Sequence, residues 1–346
     1  MTETRHMVGR LTVLGAVLSA SLLAIALVIG VSVGIGDLPI PLSTTLSAVT
    51  NRLGWTSVEL SRIHETVIWD YRLSRALVAA FCGAGLALSG AIMQSLLRNP
   101  LAEPYVLGIS AGASSGAVAI VILGIGSGAV SLSAGAFAGA FAAFFFVALL
   151  SNGTRGGADR TILAGVAASQ LFNAATSYIV TTSGNAQQAR DVMFWLLGSF
   201  GGVRWPEFVL VSIVVGFGLA ACLLAARVLD AFAFGDEAAS SLGVDVGRVR
   251  IKLFALTALM TATIVSMVGS IGFVGLVVPH VARFLVGPTH IRLLPACAIG
   301  GAIFMVLADI ASRVLIPQQT LPIGVVTALV GVPFFSIILY RFQRAS

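Results

Sequence analysis

Residues Gly108 to Gly112 read GISAG, a match to the G-x-S-x-G pattern in which a serine on a strained strand-to-helix turn attacks an acyl carbon. His280, in a later apolar stretch, would be the available base. The neighbouring residues point elsewhere. The motif runs on into SAGASSGA, and Gly108, Gly112 and Gly116 repeat at the small-x-x-x-small spacing that lets membrane helices pack closely. Close helix packing is therefore the expected role of this motif, in place of hydrolysis.

Other chemistry is equally sparse. The phosphate-binding pattern G-x-x-x-x-G-K-S/T is absent: the only lysine is Lys252, and no glycine-rich loop precedes it. Neither H-E-x-x-H nor a paired cysteine spacing occurs, so no metal or other cofactor is expected. Cys82, Cys222 and Cys297 all fall in apolar stretches, where a thiol behaves as a small hydrophobe. The ionisable residues near or inside apolar stretches are few: Glu103, His280, Arg283, and Asp309 with Arg313 one helical turn beyond it. A proton- or sodium-coupled carrier would usually line its path with several buried acids, so this scarcity counts against ion-coupled secondary transport.

The elements that position these residues follow from composition. Hydrophobic residues make up 58% and charged residues 10%, with a mean hydropathy of +1.01, against about a quarter charged in ordinary soluble domains. The chain is thus expected to be an all-α polytopic membrane protein. Ten candidate spans can be placed, at 11–34, 76–96, 105–123, 130–150, 161–182, 207–226, 251–270, 273–287, 293–312 and 322–340. The third and eighth are weak, so hydropathy alone allows eight to ten. With the N-terminus inside, thirteen of the twenty Lys and Arg residues lie on the cytoplasmic side, among them Arg5, Arg10, Arg98, Arg155, Arg160 and Arg344. Seven lie outside, which agrees with the positive-inside rule and puts both termini in the cytoplasm. The net charge of +6 is then an orientation signal and a lipid-headgroup contact. No basic stripe with interleaved aromatics suggests nucleic acid.

The whole chain, 1–346, reads as a single membrane domain with three longer connections. The outer segment 35–71 carries Pro39, Pro41, Trp55 and Trp69 and reads as a folded cap. The outer segment 184–204 contains Met193, Phe194, Leu196 and Leu197 ahead of Gly198, suggesting a short amphipathic helix that could equally hinge over a pathway mouth or serve as an interfacial anchor. The cytoplasmic segment 227–252 contains GDEAASSLG: Gly235, then Asp236 and Glu237 suited to a first helical turn, Ala238 and Ala239 for close approach, Leu242 as an anchor, and Gly243 as a stop. A partner groove or a self-contained connecting helix would both fit it. A polar break with two prolines, RNPLAEP at Arg98 to Pro104, interrupts the apolar run that follows Arg72. Non-helical backbone at membrane depth survives only where protein or a water-filled cavity surrounds it. The region from Arg248 also runs through apolar helix to a proline, in VVPH, which suggests an inverted repeat.

In order, RLSR at Arg72 to Arg75, SGAIMQ at Ser89 to Gln94, RNPLAEP, LGISAGA at Leu107 to Ala113, LAGVA at Leu163 to Ala167, GSIGFVGLVVPHVAR at Gly269 to Arg283, LLPACAIGGA at Leu293 to Ala302, ADIASR at Ala308 to Arg313 and LPIGVVTALVGVPFF at Leu321 to Phe335 resemble the FecCD family of ATP-binding cassette (ABC) importer permeases. The likeness covers the chain from about Trp69 to Tyr340. It implies a cobalamin-permease-like fold of about ten helices in the cytoplasmic membrane. It also implies a second permease copy, giving a homodimer around a central pathway, two cytoplasmic ABC ATPase subunits and an extracytoplasmic binding protein.

The resemblance also carries residue roles. Arg72, Arg75 and Arg313 fall where the family's cobalamin permease meets glutamates of its binding protein. Gly235 to Gly243 falls on the segment that couples to the ATPase and holds the pattern EAA-x-x-x-G. Asn99 and Leu101, with Ala158 and Asp159, align with the inner constriction, although the cobalamin permease has small hydroxyl residues where Ala158 and Asp159 stand. Many relatives have RLPR in place of RLSR; loss of that proline would loosen the helix start. The implied activity is import of a ferric siderophore or related iron chelate, with heme or vitamin B12 as alternatives within the family. An ion-coupled secondary transporter is the alternative of a different class.

Overall fold

The computed structural model describes residues 19–36, 38–124, 131–151, 158–183, 185–316 and 319–343. Arg5, Arg10, Arg155 and Arg344 lie outside the described residues, as do 11–18 of the first expected span, position 130 of the fourth and Gly184 of the second outer segment. Among the described residues every regular element is helical. These are α1 (Ser19–Gly34), α2 (Leu42–Arg52), α3 (Arg62–Thr66), α4 (Ser74–Leu96), α5 (Ile109–Leu123), α6 (Leu132–Leu150), α7 (Ala158–Ser183) and α8 (Ala186–Leu196). They continue with α9 (Trp205–Leu224), α10 (Ala226–Phe232), α11 (Asp236–Ser241), α12 (Val246–Val268), α13 (Val274–Val286), α14 (His290–Val314) and α15 (Ile323–Gln343).

Helices fall on all ten expected spans. Six stretches are long and apolar enough to cross a bilayer by length and composition: Arg62–Leu96, Leu132–Leu150, Ala158–Thr182, Trp205–Leu224, Val246–Val268 and His290–Val314. Ser19–Gly34, Ile109–Leu123, Val274–Val286 and Ile323–Ile337 are shorter. Two of these, α5 and α13, coincide with the spans weakest in hydropathy. Each starts from a break held among the other helices.

α4 forms the centre. It packs against α9, α12, α13 and α14, while α5, α6 and α7 form a second group joined to the first through α12. Nearly all of α4 is buried, which its Gly-, Ala- and Ser-rich sequence permits, since small side chains let four neighbours approach one helix. A Cβ on Gly83 would strike the carbonyl of Gly301 on α14, and one on Gly90 would strike that of Gly275 on α13. The same device joins α5 to α6, where Gly112 meets Gly139 and Gly116 meets Gly135. The GISAG run therefore packs helix on helix, as its spacing predicts.

Two details depart from the sequence expectations. The RLSR motif does not begin a helix. α3, a π-helical turn at Val67–Leu73 and α4 run on as one continuous stretch, and Ser74 donates its hydroxyl to the Asp70 carbonyl at 2.7 Å. With its i−4 carbonyl so occupied, a serine at this position needs no helix start, and the loosening expected from loss of proline does not arise. Likewise, VVPH is not a break: Pro279 lies inside α13, and the interruption comes earlier, at 269–273. Proline at 279 leaves the i−4 carbonyl of Gly275 without its helical donor. Gln94 of α4 supplies one instead, its Nε2 lying 3.1 Å from that oxygen. The outer segment 35–71 holds α2, α3 and part of the π turn.

Candidate functional site

At one end of α4 and α14 three arginines gather around Asp309 and the C-terminal end of α1. Asp309 is fully buried, and its Oδ1 accepts from Arg75 Nε at 2.9 Å and pairs with Nη2 at 2.8 Å. Its Oδ2 lies 3.2 Å from Arg313 Nη2, the i, i+4 pair expected from sequence. Arg313 also donates to the Ser32 and Ile35 carbonyls and to the Ser32 hydroxyl, and Arg72 donates to the Val33 and Leu38 carbonyls. These oxygens belong to the last turn of α1 and the residues just after it, where carbonyls lack helical donors and the macrodipole favours cations. Arg72 is 7% exposed, and the Arg75 and Arg313 side chains 16% and 10%. The three expected docking residues are thus together and turned inward, Arg72 and Arg313 on α1 and Arg75 on Asp309.

Deeper in the bundle four breaks meet. The Tyr105 hydroxyl lies 3.0 Å from both the carbonyl and the amide nitrogen of Ile271, donating to one and accepting from the other. Ser110, the central residue of GISAG, donates to Ser270 at 2.8 Å. Ser199 N donates to Val268 O, Ile323 N to Gly198 O and Gly324 N to Leu197 O. Each interruption supplies partners for another, so non-helical backbone is satisfied without a helix. Replacing Tyr105 by Phe orphans both backbone groups of Ile271. It should cost about 1–3 kcal/mol, read as a lower melting temperature of the purified protein in detergent; an unchanged melting temperature would contradict the bridge.

Past the inner end of α4, Asn99 Oδ1 accepts from Leu101 N at 2.9 Å in an Asx turn, and Leu101 is 43% exposed. Ala158 and Asp159 open α7, two helical turns before Gly165, which sits against the Val106 carbonyl. The expected constriction residues therefore lie on two adjoining elements, the 98–107 break and the base of α7. The Arg98 guanidinium lies over Gly235, tying that break to the expected coupling segment.

The expected coupling segment forms α10, a turn, and α11. Gly235 at φ +105° and Gly243 at φ +81° bound α11, as their positions predict. Asp236 and Glu237 occupy its first turn and Ala239 is buried beneath it. Ala238 is partly exposed. The Asp236 carboxylate pairs with Arg250 of α12 at 2.6 Å, so α11 is fastened at one end. Asp236, Glu237, Ser240, Ser241 and Val246 line a shallow groove of about 500 Å3. Leu242 is 74% exposed, and so is Phe234, at 81%, on the other side of α11. Phe234 escaped the sequence reading, although its place one residue before Gly235 in AFAFGD is the signal that would have found it. α8, in the outer segment 184–204, is closed by Gly198 at φ +80° and exposes Met193 and Phe194.

Comparison with known proteins agrees with this architecture. The model of the FecCD transport family matches residues 22–341. The chain is 38% identical to the cobalamin import system permease protein BtuC of Halobacterium salinarum, over 88% of this chain and 80% of that protein. It is 35% identical to the Fe(3+) dicitrate transport system permease protein FecD of Escherichia coli, over 90% of this chain and 94% of that protein. Its fold superposes with a TM-score of 0.82 and 29% identity on a metal-chelate type ABC transporter in an inward-facing conformation, covering 94% of this chain and 99% of that one. An all-helical architecture with paired breaks, joined to a match over nearly the whole chain, places this protein in the FecCD transport family, the multi-pass inner-membrane permeases of ABC importers.

Proposed function

We propose that this chain is the permease subunit through which an ABC importer moves a ferric siderophore or related iron chelate into the cytoplasm. Two cytoplasmic ATPase subunits power it, an extracytoplasmic binding protein delivers the chelate, and a second copy of the chain completes the pathway. The observation that carries this reading is the inner segment, where a short helix between two glycines is flanked by the exposed Phe234 and Leu242 on a chain with no phosphate-binding motif. Such a surface suits a groove on a separate energy-supplying subunit. The likeness to FecD and to a metal-chelate transporter favours an iron chelate. The likeness to BtuC favours a corrinoid as the second reading.

In this mechanism ATP draws the partner ATPases together, Gly235 to Gly243 transmits the movement, and the helices exchange an outward-open for an inward-open state. Asn99, Leu101, Ala158 and Asp159 form the inner gate, a reading supported by their position on two adjoining elements. α8 hinges over the outer mouth. Arg72, Arg75 and Arg313 form the docking site, supported by their clustering at one end of α4 and α14. An incoming carboxylate there exchanges with α1 carbonyls already bound to the guanidiniums, so docking strength depends on charge. The affinity of the binding protein for the reconstituted permease should fall steeply with rising salt; an affinity flat with salt would contradict docking through arginine.

Cargo is tested by complementation. A host without its own inner-membrane ferric chelate permeases, given this chain with its ATPase and binding protein, should grow on a ferric siderophore as sole iron source. Growth dependent only on cobalamin supply would replace the cargo by a corrinoid, and growth on heme iron alone would replace it by heme.

A further inference from the structure

Asp230, on α10 and five residues before Gly235, reaches the first turn of α14. Its Oδ1 accepts the His290 backbone N–H at 2.9 Å and lies 2.6 Å from His290 Nδ1. It therefore acts as an N-cap supplied in trans, a carboxylate at the positive end of a 25-residue helix. With Nδ1 donating to the carboxylate, His290 Nε2 is left to accept, and Ser95 Oγ of α4, which has the Ala91 carbonyl 3.0 Å away as a competing acceptor, lies at 2.6 Å. Serine, histidine and aspartate are linked here in the order of a hydrolytic triad. The serine is 8% exposed within the last turn of α4, where the backbone amides are used by the helix. Its surroundings exclude an acyl substrate, and the link does something else.

α4 and α14 run antiparallel, joined at one end by Ser95 and His290, at mid-length by Gly83 against Gly301, and at the other end by Arg75 and Asp309. From residue 75 to residue 95 the helix rises about 30 Å, the thickness of a bilayer core. One helix pair thus carries a polar clamp at each membrane face and glycine contact between them. We propose that α4 and α14 form a strut across the membrane, and that Ser95, His290 and Asp230 are the positioning residues that fasten the coupling segment to it. The inference rests on the permease reading and deepens it: movement of α10 and α11 pulls on Asp230, and the strut carries that pull to the arginine cluster.

The test uses the full transporter, with its ATPase and binding protein, in proteoliposomes, and reads ATP hydrolysed per ferric chelate imported. Asp230→Ala should raise that ratio about tenfold while hydrolysis itself stays within about twofold of wild type. Binding protein added to the same liposomes should no longer stimulate hydrolysis. Should Asp230→Ala fail to assemble, Ser95→Ala carries the same expectation with a smaller change in packing, and Ser95→Thr, which keeps the hydroxyl, should restore the ratio. A purely structural role lowers hydrolysis and import together and leaves the ratio at its wild-type value, and that result overturns the proposal. Wild-type liposomes that import no chelate overturn both this inference and the permease reading, whereas importing wild type with an unmoved ratio overturns this inference alone.

Discussion

Replacing Asp309 by alanine should destabilise the protein by about 3–5 kcal/mol, because it strands the largely buried Arg75 guanidinium and takes the carboxylate from Arg313. Arg75 and Arg313 both close on this carboxylate, whose side chain is fully buried; Arg313 keeps its α1 oxygens, whereas the desolvation of Arg75 is not recovered elsewhere in the cluster. The loss is a large share of the roughly 5–15 kcal/mol that holds a typical domain together. It should appear as a lower melting temperature in detergent and a reduced yield of folded protein. Asp309→Asn, which still accepts hydrogen bonds but carries no charge, should fall between alanine and wild type. Replacing Arg75, Asp309 and Arg313 together with apolar residues of similar size should restore much of the stability, since a buried ion network costs nearly as much desolvation as it returns. That triple variant should bind its delivery protein poorly. A single alanine variant that melts with wild type would show that the cluster is not the buried triad described here.

The second large effect is expected at the coupling segment. Glu237→Lys combined with Leu242→Glu places a cation in the first turn of α11 and a charge on its exposed anchor. Assembled with its ATPases, that variant should hydrolyse ATP while importing chelate at less than about a tenth of the wild-type rate, an uncoupling of the size one interface contact can carry. Phe234→Asp should act in the same direction, because Phe234 is at least as exposed as Leu242. Both are read as ATP hydrolysed per molecule imported, and a wild-type ratio in both variants would move the contact away from α11.

Much of the fold could be read from sequence because lipid leaves helices few alternatives, and runs of apolar residues report helices directly. The Gly108, Gly112 and Gly116 spacing correctly announced a packing face, since that signal is local. Asp309 and Arg313 were legible for the same reason, standing one turn apart. Arg75 could not be joined to them by spacing: it lies 234 residues from Asp309, and only the antiparallel register of α4 and α14 brings it there. The relay through Ser95, His290 and Asp230 was hidden in the same way, its members 195 and 60 residues apart. Pro279 misled for a physical reason. A proline normally ends a helix by freeing the carbonyl four residues back, and here Gln94 from another helix satisfies it. RLSR misled because a π turn carries the helix through a motif that proline would often begin.

The source of energy is the point on which the whole account turns. The purified permease, reconstituted in liposomes with its ATPases and its chelate-loaded binding protein, should accumulate ferric chelate only when ATP is present on the ATPase side. It should accumulate none when the ATPases are left out, whatever proton or sodium gradient is imposed. Gradient-driven uptake by the permease alone would contradict the account and make the protein a secondary transporter.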